Sequence, residues 1–388
     1  MRFRAARNGW LSSDPRLASM YMSEYREQLN GRATLEPLQD FRIDLNVSKQ
    51  RSLQRSVIFR YNDSIGDFAD LNDPIENGSY TITYNVWRTS FNSDEAFKQL
   101  QENRILIAQR LALDPEKPGR GIDTAGFPIG YGRGSQDVLI PAFLAAYGGS
   151  DANKIGLTAF PALPDINWKI SYNGLSKIEW VKQFANNIQI SNQYTSTYTV
   201  SGFQNILQDS TNLNGFTGDY VSKYQIRQVQ IAERWGPFIG LDITFVNNIN
   251  AKFEYKRDRA INFGLTNGQI SEMSGNEFSF STGYRTSKLE IPFLSRSGRR
   301  LVLESDINFR LDFSIQQRVT SIRYLDRETT DPVQGQTIYQ LRPNIDYMIT
   351  EQLMLRIFYD YRRTDPATSN TFPTVIQSGG FSLRYTLQ

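Results

Sequence analysis

Cysteine and histidine are both absent from the 388 residues. Without cysteine there are no disulfides, no thiolate nucleophiles and no thiolate metal sites. Without histidine, imidazole triads and zinc-protease motifs are excluded, which leaves only carboxylate, Lys, Tyr or Ser chemistry for an enzyme. An excess of either charge is missing too: 43 Lys and Arg stand against 40 Asp and Glu, a formal charge of +3. Nucleic-acid-binding domains usually carry a strong basic excess, so no nucleic acid is expected as a partner. No run approaches the roughly 20 apolar residues of a membrane-spanning helix. Residues 1–10 lack the apolar core of a secretory signal.

Aromatic residues are abundant: 20 Tyr, 24 Phe and 5 Trp make 13% of the chain. Mean hydropathy is nevertheless −0.46. A chain that is aromatic yet polar on average fits strands with one apolar and one wet face, and the pattern divides the chain into three zones. Residues 1–91 carry strand candidates. Leu35, Phe41, Ile43, Leu45 and Val47 form one odd-numbered series read as a single strand over 34–47. Val57, Phe59 and Tyr61 form a second, and Tyr80, Ile82, Tyr84 and Val86 an even-numbered third, with an acidic loop at 62–79. Residues 92–165 break the alternation. Asp94 is placed to cap a helix over 94–112 with Phe97, Leu100, Ile107 and Leu111 on one face, ended by Pro115. After it come a Gly-rich run at 119–134, expected as a mobile loop, and a short apolar segment at 136–147. Residues 166–388 return to strands, among them a hairpin turning at Asn247-Asn248.

Strand length separates two β readings. Several alternating stretches run ~9–13 residues, beyond the usual soluble mode of 5–6. A soluble sandwich turns its polar face out, whereas a membrane barrel turns its apolar face to lipid and wets its lumen. The expected fold is therefore mainly all-β: a transmembrane antiparallel β-barrel segment with a helical and loop insert, located in the outer membrane. Along 301–313, read as one strand, Leu303, Ile307, Phe309, Leu311 and Phe313 are candidates to face lipid. Glu304, Asp306, Arg310 and Asp312, with Lys252, Glu254 and Lys256 of the earlier hairpin, are candidates to line the lumen. Phe381, Leu383, Tyr385 and Leu387 alternate in a C-terminal strand.

Catalytic signals are weak. The Gly-rich run lacks the Gly-Lys-Ser/Thr ending of a phosphate loop and the dinucleotide fingerprint. Asp63, Asp67 and Asp70 supply hard oxygen donors at short spacing, a calcium candidate, but without the EF-hand pattern. Glu304, Asp306 and Asp312 share a face as paired carboxylates would, yet such faces recur in several strands, as in a lumen wall. Arg296, Arg299 and Arg300 cluster in a turn that is more simply solvated than lipid-binding. No cofactor and no enzymatic activity are expected.

One resemblance covers nearly the whole chain in order. Gln136-Asp137-Val138-Leu139-Ile140-Pro141-Ala142-Phe143-Leu144-Ala145-Ala146-Tyr147 is its strongest cue. With it go Phe160-Pro161, Pro164, Asn167 to Lys177, Asn30 to Pro37, Phe309 to Ile315, and Phe372-Pro373-Thr374. Together these resemble the C-terminal part of the SprA/Sov cell-surface family, the giant outer-membrane translocon of type IX secretion and gliding motility. The resemblance implies a very large single-chain barrel that passes folded cargo, a PorV-type barrel partner, a plug protein and no catalytic centre. It also implies that this chain is the last portion of such a barrel, which would account for the missing signal. An autonomous porin or uptake barrel with a helical plug, and a soluble β-rich adhesin, are the alternatives. Gln388 departs from the aromatic ending of many outer-membrane barrels.

Overall fold

The computed structural model describes residues 1–14, 16, 20–208, 211–287, 289–296, 299–303, 306–326, 330–368 and 371–386. Glu304 and Leu387 lie outside the described residues, and the side chain of Leu303 is not described.

Long antiparallel strands dominate, as the alternation requires. In chain order they are β1 (Met20–Leu38), β2 (Phe41–Asn62), β3 (Asp67–Asp70), β4 (Ile75–Thr83), β5 (Asn167–Tyr172), β6 (Ala185–Asn205), β7 (Tyr224–Ile226), β8 (Gln228–Phe245), β9 (Ile249–Gly264) and β10 (Gln269–Thr286). Then come β11 (Leu289–Arg296), β12 (Arg299–Leu303), β13 (Ile307–Tyr324), β14 (Thr330–Met348), β15 (Leu353–Pro366) and β16 (Thr374–Tyr385). Among the described residues, fourteen strands form one sheet whose path runs β1-β2-β4-β6-β8-β9-β10-β13-β14-β15-β16, while β11 and β12 pair as a separate hairpin. This is an up-and-down wall, and along that path β1 and β16 are its edges. The helices are α1 (Arg2–Arg7), α2 (Ser93–Leu111), α3 (Gln136–Gly148) and α4 (Glu179–Lys182). No described helix is long and apolar enough to cross a membrane.

Four sequence expectations are revised. The series from Leu35 to Val47 belongs to two strands: the chain reverses at Gln39-Asp40, with Asp40 at a φ of 64°, so that Leu35 opposes Ile43 and Ala33 opposes Leu45. Asp tolerates that left-handed conformation better than most residues. The apolar positions still share one face, because a hairpin keeps its partners in register. The stretch 301–313 is likewise interrupted, with β12 ending at Leu303 and β13 starting at Ile307. The strand expected through Val86 ends at Thr83, because Val86 N–H turns to the Tyr194 hydroxyl at 2.9 Å. The supposed loop 62–79 holds β3 and the first residues of β4. The Asn247-Asn248 hairpin forms as read, with Asn248 at a φ of 63°.

The insert supplies the core. From Val138 to Tyr147 every residue of α3 is buried, as a helix apolar all round must be. It ends on Gly149 at a φ of 62°, and Ser150 N–H closes back on Ala145 O at 2.9 Å, a glycine left-handed cap. In α2, Ala96, Phe97, Leu100, Ile107 and Ala108 form the buried face. Asp94 is not its cap: Asn92 holds that position, and Asp94 lies in the first turn. Both helices pack against Tyr80, Ile82, Tyr198, Val200, Val229, Ile231, Ile261, Phe263 and Ile270 of the sheet. The Gly-rich run is anchored rather than free. Tyr220 N–H donates to Gly130 O at 2.9 Å, and at Gly130 (φ 104°) a Cβ would lie 2.6 Å from the Tyr220 ring, so only glycine fits there.

Candidate functional site: a two-faced wall and its clamp

Register assigns each side chain of the wall to a face. Even positions of β10 oppose odd positions of β9 and β13 without a shift along their whole length. Phe253, Phe278, Phe280, Phe309, Leu311, Phe313, Leu341, Ile345, Ile357, Phe381 and Leu383 therefore share one face. Lys252, Glu254, Lys256, Asp258, Arg310, Asp312, Arg342, Asp346, Arg356 and Arg384 share the other. Of the candidates that the register places, Ile307, Phe309, Leu311 and Phe313 fall on one side and Lys252, Glu254, Lys256, Arg310 and Asp312 on the other.

On the polar face the charges are cross-paired. Glu254 lies 3.0 Å from Lys252 and 2.9 Å from Lys256, which also approaches Glu277 at 3.7 Å. Asp306, just before β13, pairs with Arg285 at 2.5 Å, and Asp346 with Arg356 at 2.6 Å. A depression of about 540 Å³ opens there, lined by Asp242, Lys252, Arg285, Asn308 and Arg310 among others. It carries both signs of charge, and the arrangement is that of a wetted wall. On the apolar face, aromatic rings meet across strands: Phe253 and Phe278 centroids lie 4.7 Å apart, and Tyr284 and Phe309 6.4 Å. On that face Phe278, Ile357, Phe381 and Leu383 are exposed, Phe381 to 76%, and Phe253, Phe280, Phe309, Leu311, Phe313, Leu341 and Ile345 are half-buried. Ile307, in contrast, is buried by the chain itself.

The calcium candidates do not converge. Asp70 accepts from Arg2 Nε at 2.9 Å and Asp67 from the Phe68 N–H at 2.7 Å. Among the described residues, no group of three or more acidic side chains is placed to hold a metal. A carboxylate already neutralised by a guanidinium is a poor cation ligand, so this reading is corrected.

A buried ionic clamp escaped the sequence reading. Arg259 is 1% exposed. Its Nε donates to Glu233 Oε2 at 2.9 Å, and its Nη1 to Thr89 O at 2.8 Å and Ser93 Oγ at 3.1 Å. The other Glu233 oxygen accepts from the Tyr194 hydroxyl at 3.1 Å and from Ser90. Arg323 bonds Glu272 and, at 2.7 Å, Asp94, while Ser93 also donates to Glu272. Four charged residues from β8, β9, β10 and β13 thus hold the 86–94 turn and the start of α2. Burying such charges is tolerable only because each is paired and hydrogen-bonded. A signal did exist: Arg257 and Arg259 occupy odd, apolar-face positions of β9 between Tyr255 and Ile261, where alternation leads one to expect hydrophobes.

Two carboxyls, Asp137 at the start of α3 and Asp219 in the segment between β6 and β7, are displaced from their ordinary titration. Burial pushes the Asp137 carboxyl above its ordinary value, opposed by the hydrogen bond from the Ser222 hydroxyl at 2.9 Å. Burial likewise raises Asp219, against the lowering effect of the Gly132 N–H at 2.5 Å. Asp137 lines a cavity of about 240 Å³ together with Gln136, Thr158, Phe160, Lys223 and Tyr224.

No family model matches the chain, and no curated protein matches it. Among solved structures, the chain is similar to OmpT, an outer membrane protein of Vibrio cholerae folded in vitro. The trimer form aligns at 9% identity and a TM-score of 0.23, covering 95% of this chain and 98% of that one. A second structure of that protein aligns at 9% identity and a TM-score of 0.22, covering 95% and 96%. Likenesses at these scores carry no functional argument.

Proposed function

We propose that this chain forms part of the wall of an outer-membrane β-barrel that exports folded proteins, the translocon of type IX secretion linked to gliding motility. The observation that carries the membrane reading is the long antiparallel wall, apolar on one face and charged on the other, with its apolar face half-buried to exposed beyond the insert. Water would not tolerate that face on a monomer, where contiguous apolar patches stay within a few hundred Å². Among the described residues β1 and β16 have no partner on their outer sides, which supports a wall continued by further strands, because unpaired backbone groups cost several kcal/mol each in hydrocarbon. The export role rests on the resemblance to SprA/Sov. On that reading the polar face lines a passive aqueous lumen, cargo traverses it, and a PorV-type barrel and a plug protein are its partners. No residue is assigned a catalytic role.

The insert lies against the apolar face, the opposite side from a lumen plug, which favours this reading over the plugged porin. Membrane fractionation and depletion test it together. The chain should fractionate with the outer membrane, and depleting it should leave type IX cargo in the periplasm. Normal cargo release after depletion would remove the export role, and recovery in the soluble fraction would remove the membrane role as well.

A further inference from the structure

The insert and the exposed apolar band share one face of the wall but occupy different lengths of its strands. In β8 and β9 the insert and its clamp cover Val229 to Trp235 and Arg257 to Phe263. Beyond them the same face continues as Ile249 to Tyr255 on β9, Phe278 to Tyr284 on β10 and Phe309 to Ile315 on β13. Seven residues rise roughly 23 Å along the strand and ~18 Å along the normal at the usual tilt, which fits inside the ~25 Å apolar band of an outer-membrane barrel. β10 and β13 have 18 residues each, almost twice what a bilayer-spanning strand needs. Half of each strand therefore stands outside the hydrocarbon, and that is the half the insert covers.

Exposed aromatics mark both limits of the band. At the insert's lower margin Trp87 is 46% and Phe91 55% exposed. Arg88 stacks at 5.5 Å on Trp87, and Arg257 at 4.9 Å on Phe91. At the opposite strand ends Trp180 is 64% exposed beside Phe184, with Lys177 and Lys182 nearby in sequence. Val181 of α4 anchors that turn on Ala185 and Ile188. The two margins are separated on β6 by about nine residues, from Ala185 beside Phe184 to Tyr194 beside Val86; that is ~30 Å along the strand and ~23 Å along the normal at the usual tilt. Trp with Arg or Lys at such a spacing is the composition of the two membrane–water interfaces.

We infer that the insert is an external lip: it lies on the lipid side of the wall and rests its Trp87–Phe91 turn on the headgroup layer, with Trp180 and Phe184 in the opposite interface. The ligand is the bilayer surface itself, its phosphates met by Arg88 and its carbonyl region by the two rings. This inference rests on the reading of the sheet as a membrane wall.

This chain contributes no cysteine of its own, so each one introduced into it is unique within these residues. Single substitutions Trp87→Cys, Trp180→Cys, Phe253→Cys and Lys252→Cys are introduced in the assembled protein in outer-membrane vesicles and carry a nitroxide. Accessibility to oxygen and to a water-soluble nickel complex is then measured. The oxygen-to-nickel ratio should be highest at 253, intermediate and similar at 87 and 180, and lowest at 252. A label at 87 that is fully water-accessible, or shielded from both reagents as by a protein partner, while 253 stays lipid-exposed, overturns the lip and leaves the membrane wall standing. A label at 253 that does not meet lipid overturns the wall itself, and the lip with it.

Discussion

At the scale of single residues, the two faces make opposite demands on adjacent positions of β13. Phe309 belongs to the apolar face and Asn308 to the polar one. Phe309→Arg should cost about 2–4 kcal/mol if it lies near the bilayer midplane, and Asn308→Arg far less. A membrane-assembly assay on the whole barrel measures both, and equal tolerance would count against the barrel. The clamp makes a different demand. Glu233→Ala strands Arg259 without its carboxylate in a site closed to water, and should destabilise the insert's docking by about 3–5 kcal/mol. Replacing both partners together, Glu233→Leu with Arg259→Met, should cost much less, because no uncompensated charge is left behind. Limited proteolysis of the insert separates the two cases: rapid cleavage is expected of the single variant and near-native resistance of the double. Lys252, Arg310 and Phe309 were legible from alternation alone, since period two fixes the face once a strand is granted. Arg259 and Glu233 were not, since their pairing joins residues 26 apart in the chain with a turn some 140–170 positions away.

At the scale of elements, the sequence showed which segments are strands or helices better than where they turn. The helix read over 94–112 appears as Ser93–Leu111, because a full apolar stripe leaves little freedom. Leu35 to Val47 read as one strand because the parity of apolar positions survives a two-residue reversal, and only the conformation of Asp40 reveals it. The apolar segment 136–147 had no amphipathic pattern to read, being buried on all sides as α3. That helix also carries a pH-dependent element. The Asp137 carboxyl is held above its ordinary value by burial. A carboxyl whose folded value is raised contributes most to stability below its unfolded value, and that contribution is lost as pH rises through the folded value. Asp137→Asn, which keeps an acceptor for Ser222, should therefore make the insert more resistant to heat or protease than the parent at pH 7.5. The difference should vanish below about pH 4, where the parent carboxyl is protonated in both states. A variant weaker than the parent at both pH values would mean that the charge is favourable at the start of α3, as a helix N-terminus can make it.

For the whole molecule the decisive feature is that among the described residues the wall does not close: β16 pairs with β15, β1 with β2, and the path does not join them. In hydrocarbon such edges cannot persist, and in detergent or water they template pairing between copies. The purified 388-residue chain should accordingly form oligomers through its edges and produce no stable single-channel conductance in planar bilayers. On the proposed translocon reading the closing strands come from the rest of the assembled barrel, and removing residues 374–385 there should block closure and leave type IX cargo in the periplasm, while the clamp and the insert core stay folded. Phe381, Leu383 and Tyr385, apolar and exposed on β16, would then be lost from the lipid-facing band at the point where the wall is joined. If instead the chain alone refolds into a closed, conducting barrel, β1 and β16 satisfy each other, no further strands are needed, and the autonomous porin takes the place of the translocon wall.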